Sequence, residues 1–200
     1  MAEDTARFVL VRHGETAYNR EGRFQGADSD PPLTPRGREQ AQAVADELEG
    51  LDFDALYTSD LLRAIETAQV LAEAVGVAPR VLEGLREMSH GAWEGKTKAE
   101  ILETWPEVHA AFEQDPRGVA RPGGDSYGDL AGRVWPVLER LADRHRGERV
   151  LVVTHGGPIR LVLSDVTGTP LTQRDKLGVD NGRWFVVEKA GDAWRVAEGL

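Results

Sequence analysis

The chain has 200 residues, 34 acidic and 24 basic, for a formal net charge of −10. That length suits a single domain, and a 40% hydrophobic fraction can bury a sizeable core. The acidic balance opposes general binding to nucleic acid or to an anionic membrane, both of which need an excess of Lys and Arg, and the absence of cysteine excludes disulfides, thiolate nucleophiles and iron–sulfur clusters.

The segment MAEDTARFVLVRHGE starts acidic and carries only a short apolar run, unlike a secretory signal. No stretch approaches the ~18–20 apolar residues that span a bilayer. The expectation is a cytoplasmic protein, monomer or homodimer, with no nucleic-acid or membrane partner.

In chain order, Arg7 to Arg12 reads as a buried strand. HGETAYNREGRFQGADSDPP follows as a long Gly-, Asp- and Pro-rich loop, a length that is often functional. Thr34 caps a helix with Pro35 at its first position and an apolar stripe of Ala41, Val44, Ala45 and Leu48. Phe53 to Tyr57 predicts a second strand, and Asp60 is placed to cap the next helix. Val81 and Leu82 predict a short third strand.

From about residue 91 to 127 brief helical stretches are broken by Gly, Pro and aromatic residues, with a capping box at Thr97 and Glu100 and a break at Pro106. This reads as a helical insertion within one domain spanning 1–200. Ser126 and Asp129 open a long helix ending near Gly147, and Arg149 to Val153 is the strongest strand signal. Another helix begins at Gly156 or Pro158, and a closing hairpin pairs Trp184 to Val187 with Trp194 to Ala197. Alternating strands and helices predict an α/β three-layer sandwich: a mostly parallel sheet, helices on both faces, and an antiparallel edge strand.

In such sheets ligands bind beyond the carboxyl ends of the strands. Arg12, His13 and Gly14 follow the first strand, Arg63 lies one helical turn past the second, Glu87 comes after the third, and Thr154, His155, Gly156 and Gly157 follow the fourth. Of five histidines, two fall at strand ends. Guanidinium groups bind phosphate oxygens through paired hydrogen bonds, and neutral imidazole is a nucleophile at pH 7. Nearby arginines favour the neutral form of His13. His155 precedes a helix whose first N–H groups, from Gly156 on, suit an anion. Glu87 can protonate an alkoxide leaving group.

LVRHGET (Leu10 to Thr16), SDLLRAIETA (Ser59 to Ala68), LREMSHGAWEG (Leu85 to Gly95) and VTHGG (Val153 to Gly157) resemble the motifs of the histidine phosphatase superfamily over nearly the whole chain. The resemblance implies phosphoryl transfer through a phosphohistidine on His13, with Arg12, Arg63 and His155 binding phosphate and Glu87 serving as the acid that later activates water. It places Asn19, Gln25 and Gly26 beside the phosphate. It also implies no metal and no cofactor, and a small phosphorylated substrate. The compact PGGDSYGDL segment (Pro122 to Leu130) resembles the small phosphatases. The alternatives are a cofactor-dependent phosphoglycerate mutase and a catalytically silent module that binds phosphorylated ligands.

Several residues are read as bystanders. His90 and His109 are taken as non-catalytic and His145 as an exposed helix end. Trp93, Trp105 and Phe112 are read as packing residues, and Arg117 and Arg121 as solvated loop residues in preference to ligands of a second anion.

Overall fold

The computed structural model describes residues 4–197 and 199. Among these, six strands form one sheet: β1 (Thr5–Arg12), β2 (Ala55–Thr58), β3 (Pro79–Val81), β4 (Arg149–Thr154), β5 (Trp184–Ala190) and β6 (Ala193–Val196), in the order β3-β2-β4-β1-β5-β6. The first four run parallel, β5 runs antiparallel to β1, and β6 pairs antiparallel with β5. The helices are α1 (Ala17–Arg20), α2 (Pro35–Leu48), α3 (Leu62–Val75), α4 (Lys98–Thr104), α5 (Pro106–Gln114), α6 (Tyr127–Arg144) and α7 (Gly156–Thr167).

The period-2 alternation of the central strands divides the interior in two. Val9, Val11, Leu56, Leu151 and Val153 bury against Ala41, Val44, Ala45 and Leu48 of α2 and Ala64, Ala68 and Leu71 of α3. Phe8, Leu10, Tyr57, Val150 and Val152 bury on the opposite face with Val134, Leu138 and Leu141 of α6 and Ile159 and Val162 of α7. Val150 to Val153 are wholly buried, at about 1.5–3 kcal/mol per side chain. A one-residue slip of β4 would exchange its two faces, so this burial fixes the register with β1. Trp93, Ile101 and Phe112, from the segment between β3 and α6, pack into the same core as α6 and α7.

That register builds the rim of the sheet. Arg12 pairs with Thr154, so the next residue of each strand, His13 and His155, stands at the same height. Thr58 pairs with Val153, which brings Ser59 to the same edge. Among the described residues no helix is long and apolar enough to cross a membrane.

The first strand starts two residues earlier than expected, at Thr5, and the third is Pro79–Val81, so that Leu82 lies outside it. Other departures from the sequence expectations have a visible cause. The loop after β1 holds the short helix α1, closed by a reciprocal capping box between Thr16 and Asn19. The second strand begins at Ala55; Asp54 before it donates its N–H to the Arg149 carbonyl at 2.9 Å and accepts the Arg149 N–H on its side chain at 2.8 Å. Asp60 does not cap α3. It pairs with Arg86, and Asp30, from the long first loop, accepts the Leu62 N–H at 2.8 Å instead. His145 is not an exposed helix end but is buried, with Nε2 2.9 Å from the Tyr57 hydroxyl and Nδ1 2.5 Å from Glu148.

Losing the His145 ring leaves the buried Tyr57 hydroxyl unpaired. His145→Ala is expected to lower the unfolding free energy by about 1–3 kcal/mol in a urea titration.

Candidate active site

His13 is positioned from three sides. Its backbone N–H donates to Thr154 at 3.1 Å, tying the end of β1 to the end of β4. Its Nδ1 lies 2.7 Å from the Gly14 carbonyl, and since a carbonyl only accepts, Nδ1 carries the proton. The lone pair is therefore on Nε2. The third tie is Asn181, whose amide donates to the carbonyls of His13 (3.0 Å) and Gly14 (3.3 Å) and to Asn19 Oδ1 (3.0 Å).

Gly14 itself sits where only glycine fits. A Cβ there would lie 2.1 Å from the Gly37 carbonyl oxygen at the start of α2.

The His155 ring lies 5.1 Å from that of His13, centroid to centroid, and is fully buried. Its Nε2 is 2.8 Å from Ser59 Oγ, while its Nδ1 has no protein partner. A serine hydroxyl donating to Nε2 would put the proton on Nδ1, as a donor to phosphate.

Arg63 is also fully buried. Its Nη1 and Nη2 donate to Ser29 and Gly26 carbonyls, each at 2.9 Å, and the Gln25 amide, in the orientation that satisfies both its ends, accepts from Arg63 Nε at 2.9 Å. The first loop thus aims Arg63. Gln25 and Asn19 line the cavity, whereas Gly26 is behind it and acts through its carbonyl on Arg63.

Arg12 donates to the Val179 carbonyl at 2.7 Å. Burial, followed by the charge of Arg160, lowers its pKa to about 10, and burial brings Arg63 to about 10 as well. Both remain cationic at neutral pH.

Glu87 is held by two backbone donors: Met88 N–H to Oε1 and Gly157 N–H to Oε2, both at 2.9 Å. The Gly157 donor belongs to the first turn of α7, so the helix dipole also faces this carboxylate. A Cβ on Gly157 would lie 2.1 Å from Glu87 Oε1, which explains the second glycine of the pair. Arg133 donates to the Glu87 carbonyl at 3.0 Å. Among the described residues no group of three or more His, Asp or Glu is arranged to hold a metal ion.

The structure thus brings Arg12, His13, Arg63, Glu87, His155 and Gly156 to one rim. Sequence reasoning passed over Asn181, Ser59 and Asp30, whose partners are distant in the chain, and Arg160. Only Arg160 carried a local signal, being four residues after Gly156 on the same helical face.

One bystander reading needs correction. Arg121 lines the cavity, as His90 does, and is 4% exposed instead of solvated, its guanidinium 4.2 Å from the Phe112 ring. His109 lines the cavity too, while Arg117 pairs with Asp165 elsewhere. Trp93 and Phe112 are buried packing residues, as expected.

Comparison with known proteins decides the family, since the model of the histidine phosphatase superfamily (branch 1) matches residues 8–198. The chain belongs to the histidine phosphatase superfamily. It is 34% identical over 181 residues to phosphoserine phosphatase 1 of Hydrogenobacter thermophilus, covering 90% of this chain and 85% of the relative. It is 40% identical over 169 residues to a metal-independent phosphoserine phosphatase of Arabidopsis thaliana, at 82% and 70% coverage. A mycobacterial glucosyl-3-phosphoglycerate phosphatase superposes with a TM-score of 0.83 at 33% identity, over 96% of each chain. Like others in the superfamily, the protein is a phosphomonoesterase that works through a histidine.

Two outcomes follow from this geometry. Burial, then the charges of Arg63 and Arg12, hold His13 well below the usual imidazole range, and burial does the same for His90 and His155. These rings stay neutral in the folded protein, while the unfolded chain takes up protons below about pH 6.5. Stability is therefore full above that pH and falls as pH drops through it, by up to about 1.4 kcal/mol per pH unit for each histidine. Unfolding titrations between pH 7 and 5 check the slope, and His90→Gln should make it shallower. Gly157→Ala is expected to displace Glu87 and cut kcat by at least about 10-fold with a smaller change in KM, as steady-state kinetics would show.

Proposed function

We propose that the protein hydrolyses a small phosphorylated metabolite in two in-line displacements at phosphorus. In the first, the Nε2 lone pair of His13 forms the N–P bond while the P–O bond to the leaving alcohol breaks. Glu87, in its acid form, delivers the proton to that alkoxide. In the second, water attacks phosphohistidine, Glu87 takes the water proton, and the N–P bond breaks to free Nε2.

Arg12, Arg63 and the Nδ1 proton of His155 surround the transferring group and stabilise the charge spread over its oxygens. The observation that carries this reading is the tautomer of His13: Nδ1–H is spent on the Gly14 carbonyl, so the free lone pair is on the other ring nitrogen. Ser59 and Asn181 are positioning residues, acting on His155 and on the backbone of His13. The proposal includes a cytoplasmic setting, where phosphorylated metabolites are made and consumed.

Nitrophenol release from p-nitrophenyl phosphate should persist in EDTA, be blocked by vanadate, and vanish in His13→Ala. Rapid quenching during turnover should capture an acid-labile, base-stable phosphoryl adduct on His13. Full turnover by His13→Ala would overturn the mechanism, and isomerisation of 3-phosphoglycerate primed with 2,3-bisphosphoglycerate would show a mutase instead.

A further inference from the structure

The cavity holds more positive charge than one phosphate requires. It measures about 340 Å³, the small end of the range for metabolite sites, and beyond the phosphate cup Arg121 and Arg160 line its wall. Neither guanidinium spends its hydrogen bonds on a carboxylate. Arg121 donates to the Asp125 carbonyl (3.0 Å) and the Met88 sulfur (3.2 Å), and Arg160 to the Val179 carbonyl (3.5 Å), which it shares with Arg12. The buried Nε atoms of both, and Nδ1 of His90 on the same wall, have no protein partner.

Burying cations and leaving their donors unpaired is costly, and is tolerated where a ligand supplies the missing charge. A phosphate dianion is matched by Arg12 and Arg63. Of the other charged groups lining the cavity, Arg174 pairs with Glu113, Arg23 pairs with Glu21 and Glu100, and Lys98 and Asp175 offset each other; with Glu87 protonated for its first step, the two positive charges of Arg121 and Arg160 remain over. Arg160 also adjoins the cup: a methyl group on Gly156 would sit 2.7 Å from its Nη1 and 3.5 Å from Arg12 Nε. A second anionic group in its reach is therefore only a few bonds from the phosphorus.

We infer that Arg121 and Arg160, with His90, form a second anion subsite, so that the natural substrate is a phosphomonoester whose alcohol half carries a carboxylate. This rests on the phosphatase reading for the chemistry, but the subsite itself is a matter of binding. The guanidinium stacked on Phe112 is held rigid, so its unpaired donor is preorganised for a planar carboxylate.

The test compares two ligands that differ at the position in question, 3-phosphoglycerate and glycerol 3-phosphate, by calorimetry on the His13→Ala protein, which does not consume them. The carboxylate ligand is expected to bind at least about 10-fold tighter. Adding Arg160→Met, a change on the half-buried rim, should bring the ratio of the two dissociation constants toward one. Arg121→Met should do the same, with Arg121→Lys restoring part of the ratio. Equal binding of the two ligands, or an unchanged ratio in the Arg160→Met protein, would overturn the inference. Failure of the wild-type protein to turn over p-nitrophenyl phosphate would instead count against the phosphatase reading, because the binding ratio does not depend on turnover.

Discussion

Everything at this rim depends on positive charge held where water cannot screen it. Half-buried Arg12 and fully buried Arg63 stand beside two histidines that are themselves buried, and in that setting a charge on either imidazole is disfavoured twice, by desolvation and by the neighbouring guanidiniums. The same field that keeps the nucleophile unprotonated draws in a phosphate dianion, whose arrival neutralises the cup. Such a clustering of like charge is unfavourable by itself, and the sheet beneath it supplies the compensating burial of aliphatic side chains.

Backbone geometry, more than side-chain number, makes this arrangement work. The register of β1 with β4 sets the two histidines level, and Gly14 clears room for Gly37, Gly156 for Arg160 and Arg12, and Gly157 for Glu87. The long first loop is not a passive connection. Through Gln25, Gly26, Ser29 and Asp30 it aims Arg63 and caps the helix that carries it.

How much of this was legible in the sequence follows from the range of each interaction. The strands and the residues following them could be read because hydrophobic runs and strand ends are local signals: Val150 to Val153 announced β4, and His13, Glu87 and His155 fell where the sheet rule places ligands. The supports were invisible for the opposite reason. Asn181 reads as half of a turn, and nothing near it in the chain says that its amide meets the carbonyl of His13. Asp60 is the better local cap for α3, yet Asp30 takes the position because folding places it there and gives Asp60 to Arg86. Arg121 and His145 read as surface residues since a single charged or polar letter carries no sign of what will close over it.

The strand bearing the nucleophile precedes the other described strands in the sequence, yet its two neighbours in the sheet, β4 and β5, lie more than 130 residues after it. Such pairing closes large loops and gives the fold a high contact order. It also means that a nascent chain emerging from a ribosome carries the nucleophile for most of its synthesis without the arginine cup, the second histidine or the Asn181 clamp being in place. The rim cannot assemble before β4, β5 and Asn181 have been made, and a chain truncated before β5 retains the ring of His13 without the surroundings that make it reactive.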